Sequence, residues 1–67
     1  MGHDSPKLVK CEFVGGDGMV AMWGWRDQNR WFVGRMGVDG SAMVETDDPL
    51  HAHSLWENWW AAMIAAL

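Results

Sequence analysis

Hydrophobic and polar residues alternate along the first two thirds of the chain and then change to a helical spacing. Over Lys7–Val14, Val9, Cys11 and Phe13 alternate with Lys10 and Glu12, the period of a half-buried strand, and the first three are expected to point inward. Gly15–Gly18 reads as a turn. Met19–Trp25 follows as a second strand, with Met19, Ala21, Trp23 and Trp25 on one face and Val20, Met22 and Gly24 on the other. Arg26–Asn29 is the next turn and Trp31–Met36 the third strand. A two-residue loop at Asp27-Gln28 sets Gly24 opposite Trp31 and Trp23 opposite Phe32, whereas a three-residue loop sets Trp25 opposite Trp31; the pattern leaves both registers open. Val38–Ser41 contains Asp-Gly between apolar runs, a hairpin signal, and Ala42–Thr46 is the last strand.

From Asp48 onward the spacing predicts a helix. Pro49 suits a first helical position and Asp48 can cap it. Ser54-Leu55-Trp56-Glu57 has the form of a second, capping-box start, which would make residues 49–53 a separate turn leading into the same helix. Trp56, Trp59, Trp60, Met63, Ile64 and Leu67 fall on one side at 100° per residue, opposite Glu57, Asn58, Ala61, Ala62 and Ala65. The predicted fold is α+β: a small antiparallel meander of three to four strands with one C-terminal helix packed on one face. Residues 1–6 are expected as a disordered lead and 7–67 as a single β-β-β-β-α domain. One helix covers one face of a sheet, and strands two and three are apolar on both. Part of the second face, with Met22, Val33 and a Trp, is therefore expected to be exposed or in contact with another chain, which allows a homodimer.

Composition changes this picture in two ways. In only 67 residues, six Trp, six Met and two Phe supply the bulk of a small core, with three or four of the Trp expected to be buried. A single cysteine rules out an intrachain disulfide and favours a reducing, cytoplasmic setting. The start of the chain carries no cationic and apolar signal segment, and no apolar run approaches the roughly 20 residues of a membrane span. Charge is divided unevenly. All five bases fall in residues 1–35, which balance at +1; residues 36–67 hold Asp39, Glu45, Asp47, Asp48 and Glu57 with no Lys or Arg, a balance of −5. A one-signed acidic surface repels nucleic acid and attracts basic protein surfaces.

Catalytic chemistry finds little to work with. His51 and His53 near Asp48 share a helix face poorly, and Cys11 completes a zinc set only through a tertiary coincidence, so no metal or other cofactor is expected. Ser41 sits in a turn, Ser54 in a cap, and Cys11 reads as an inert inward thiol. Adjacent Asp47 and Asp48 lack the burial that separates two carboxyl pKa values. The chain is read as a non-enzyme.

In size, acidity, layout and lack of a catalytic set, the chain resembles the small phage-encoded anti-CRISPR proteins, in particular the acidic inhibitors of type I-C systems that act on the large Cas8 subunit as mimics of double-stranded DNA. The resemblance implies a protein partner of the Cas8 type in a bacterial cytoplasm, no direct nucleic-acid binding, and carboxylates standing in for phosphates. The unopposed acids Asp39, Glu45, Asp47, Asp48 and Glu57 are the expected partner-binding residues. Two alternatives stand beside it: a scaffolding subunit that associates through the apolar sheet face and Ala61/Ala65 of the helix, and a ligand-binding module built on exposed Trp.

Overall fold

A computed structural model describes residues 6–25 and 28–67. Residues 1–5 of the lead expected over 1–6, and the first half of the Arg26–Asn29 turn, lie outside the described residues. Four strands, β1 (Lys7–Val14), β2 (Gly18–Trp25), β3 (Arg30–Gly37) and β4 (Gly40–Thr46), are followed by one helix, α1 (Pro49–Ala65). The strands form a single antiparallel sheet in the order β1-β2-β3-β4, so the α+β meander with a C-terminal helix is the observed fold.

Strand register follows from the turns. Gly24 pairs with Trp31 and Trp23 with Phe32, the first of the two registers that the pattern allowed. At the β3–β4 turn Gly37 pairs with Gly40, which leaves Val38 and Asp39 as the two loop residues. Gly40, at φ +116°, takes a backbone conformation that side-chain-bearing residues rarely adopt, and this anchors the tight turn. A bulge at Val9 shifts the β1–β2 register between Leu8 and Lys10.

Asp48 caps α1, its side chain accepting from the Leu50 N–H at 3.0 Å, with Pro49 in the first turn. The helix runs unbroken from Pro49, so Ser54 is an exposed mid-helix residue and not a second start. The core lies between α1 and one sheet face: Val20, Met22 and Val33 from the sheet meet Ala52 and Trp56, with Trp31, Leu55, Trp59 and Met63 packed around them.

Four expectations are corrected here. Met22 and Val33 lie on the covered face, not the open one. On β1, the residues facing the helix are Lys10, Glu12 and Val14, while Val9 and Phe13 are exposed and Cys11 is half-buried on the other face. The buried stripe of α1 runs through Ala52, Leu55, Trp56, Trp59 and Met63; Trp60, Ile64 and Leu67 are exposed. Of the six Trp, only Trp56 is buried.

The reason lies in β2. Its covered face offers Gly18, Val20, Met22 and Gly24, low enough for a helix to settle close, whereas Trp23 and Trp25 on the other face would hold a helix off. Trp31 occupies the space over Gly24, and Met63 reaches Gly18. Lys10 is accommodated on the covered face because its charge sits 4.0 Å above the Trp56 ring and 3.8 Å from Glu57.

Candidate interaction surface

The uncovered sheet face is built in rows that cross all four strands. The pairing of Phe13 with Met19, Met19 with Met36 and Met36 with Ser41 makes one row. Cys11, Ala21, Gly34 and Met43 make the next, and Leu8, Trp23, Phe32 and Glu45 the third. Bulky residues thus flank a middle row whose centre is small. Ala21 and Gly34 are buried there although no element covers them, because the Trp23 indole leans over Gly34. Phe13 is 76% exposed and Met43 63%, so both stand at the two lateral edges of the face as projecting side chains.

Pro6, Trp23, Phe32 and Met43 line an open groove of about 250 Å³ in this face. Phe32 links the groove to an aromatic and ionic cluster. Trp25 meets Phe32 edge to face, with ring centroids 5.2 Å apart. Arg30 lies 5.0 Å above the Trp25 ring and 5.7 Å from that of Phe32, and its Nε donates to Glu45 Oε2 at 2.8 Å. The charges of Arg30 and Glu45 cancel within the face, which leaves it apolar with no unbalanced charge among the described residues of the four strands.

The acids singled out from the sequence do not gather. Asp39 occupies the β3–β4 turn, while Asp47 and Asp48 follow the far end of β4, about 25 Å away at the rise of a strand. Glu45 lies on the open face beside Arg30. Glu57 lies on the helix, paired with Lys10 of β1 at 3.8 Å and with His53 at 3.7 Å, three strand spacings from Glu45, or about 14 Å, and on the opposite side of the sheet. Asp47 and Asp48 are adjacent, but each is also structural: the Asp47 carbonyl accepts from Asn29 Nδ2 at 2.9 Å and Asp48 caps α1.

Among the described residues no group of three His, Cys, Asp or Glu comes together, and Cys11 lies across the sheet from His51 and His53. No helix among the described residues is long and apolar enough to cross a membrane. Leu8, Phe13, Trp23, Phe32, Met36 and Met43, the residues that make the open face, carried no functional expectation individually. Their signal was the alternation itself, once the covered face is known to be the one that includes Lys10. Compared with known proteins, the chain matches no family model, no curated protein and no solved structure.

Proposed function

We propose that the protein is a non-enzymatic binding module that associates with another protein chain through the open face of its sheet. The observation that carries this reading is the groove between Trp23, Phe32 and Met43, set in a continuous apolar face with Phe13 and Met43 projecting at its edges. A monomeric domain gains nothing by holding such side chains against water, and contiguous apolar patches of this kind mark interaction sites. Aromatic and Met side chains in a desolvated centre, with charge confined to a self-paired rim, match the anatomy of protein interfaces. The test is affinity capture with tagged protein in low and high salt, set against a Phe13→Glu/Met43→Glu variant. Salt-tolerant capture that the variant loses supports the reading; capture equal in the two proteins overturns it.

A second reading keeps the acidic inhibitor of a nucleic-acid-binding complex, with a Cas8-type subunit as its partner. It is favoured by Asp39, Asp47 and Asp48, none of which forms an ion pair among the described residues. It is weakened by Glu45 and Glu57, whose charges Arg30 and Lys10 offset. Its test is binding to a purified type I-C surveillance complex with and without target duplex: displacement by both duplex and salt, and loss on Asp47→Lys/Asp48→Lys, supports it, and absence of binding rejects it.

A further inference from the structure

We infer that the occupant of the open face is a second copy of this chain, packed sheet against sheet about a two-fold axis. The inference rests on the open face being an interaction surface and adds the identity of what covers it. Size is the first argument. Four strands about 4.8 Å apart and seven or eight residues long at about 3.3 Å each present a face of about 500 Å², so two copies remove about 1,000 Å² from water, the threshold of a specific interface.

Charge is the second argument. Each copy carries a net charge of −4, so two copies associate only where that excess is kept out of the contact. The open face meets this condition. Among the described residues its one base, Arg30, and its one acid, Glu45, are already joined at 2.8 Å, while Asp39, Asp47, Asp48 and Glu57 lie in a turn, just past the end of β4, at the helix start and on the helix. A bilayer or a nucleic-acid strand selects for unpaired bases, and this face has none among the described residues.

Shape is the third. Facing sheets pack about 10 Å apart with their inner side chains interdigitated. The projecting Phe13 is the side chain to interdigitate, and the open groove lined by Pro6, Trp23, Phe32 and Met43 receives it. An isologous contact requires a surface that carries both projection and recess, as this one does. The resulting order of layers is helix, sheet, sheet, helix, in which both faces of each sheet are covered.

The decisive experiment is sedimentation of the full chain from low micromolar to millimolar concentration, beside Phe13→Glu, Met43→Glu and the helix variant Ala61→Glu. The expected result is reversible doubling of mass with a dissociation constant in about the micromolar range, as suits an interface of threshold size. Phe13→Glu and Met43→Glu each bury an uncompensated charge in the contact and raise that constant by about 100-fold or more, with the far-ultraviolet circular dichroism unchanged. Ala61→Glu leaves it unaltered. As an independent readout, alkylation of Cys11 slows as the wild-type concentration rises and stays fast in Phe13→Glu. A chain that is monomeric throughout overturns the second copy and leaves the broader reading to the capture experiment, where loss of a different protein partner in the double variant still upholds it. A dimer that survives both face variants overturns the proposal and locates the contact elsewhere, such as the edge of β4.

Discussion

The Trp56 indole N–H donates a buried hydrogen bond of 3.2 Å to the Val20 carbonyl, joining the middle of the helix to the middle of β2 across 36 residues of sequence. Both residues are buried, so this one side chain supplies the largest apolar surface of the core and also its only buried side-chain hydrogen bond among the described residues. Trp56→Phe keeps most of the ring and forfeits the bond, for an expected loss of about 1 kcal/mol. Trp56→Ala is expected to cost about 3–5 kcal/mol, comparable with the entire stability of about 3–10 kcal/mol for a chain this size. Urea denaturation followed by circular dichroism measures both.

Gly24 is the position where β2 yields to Trp31. A Cβ built there overlaps the Trp31 indole, while one at Gly16 meets nothing within 4 Å. Gly24→Ala is therefore expected to lose about 1–3 kcal/mol by displacing a partly buried Trp, and Gly16→Ala to change stability by less than about 0.5 kcal/mol. The same denaturation assay compares them, and equal effects would refute the packing account.

Two adjacent acids are expected to separate in their roles. Asp48→Ala removes the cap of α1 and is expected to cost about 1 kcal/mol, with Asp48→Asn retaining most of it. Asp47→Ala leaves its backbone carbonyl in place to accept from Asn29, so stability is expected to stay within about 0.5 kcal/mol. Any loss of partner binding on Asp47→Ala then reports recognition, uncontaminated by folding.

Cys11 lies on the open face between Ala21 and the β1 edge and is only half-buried. It is expected to react with a small thiol reagent in dilute native protein without denaturant, as followed by mass spectrometry. A thiol that labels only on unfolding would contradict its placement.

The elements themselves were legible because their signals are local. Alternation over Lys7–Val14, glycines at 15–18, Asp-Gly at 39–40 and Asp48-Pro49 each act within a few residues, and each marks a boundary near the observed one. Which face the helix covers was not legible. Val20 and Met22 on one side of β2, and Trp23 and Trp25 on the other, are equally apolar, and hydrophobicity alone favours the larger rings as core. Glycine decided otherwise: Gly18 and Gly24 make the smaller face the one a helix can approach. Lys10 hid the answer further, because a charged residue in an alternating strand is read as outward, yet an ammonium set over the Trp56 ring satisfies it on the covered side. The rotation of α1 follows from the same cause, since the fully buried helix residue is Ala52 and not a large one. As for the acids, chain order groups them in one half, but a meander followed by a returning helix distributes that half over two ends and two sides.

The order of elements has a consequence for biosynthesis. All four strands precede the helix, so the Val20 side of the sheet is covered only once α1 has left the ribosome and folded back onto it. Until then Val20 and Val33 are as open to neighbouring chains as Phe13 and Met43. The unguarded period ends for one face when Trp56 docks, while Phe13 and Met43 on the other stay exposed in the folded domain.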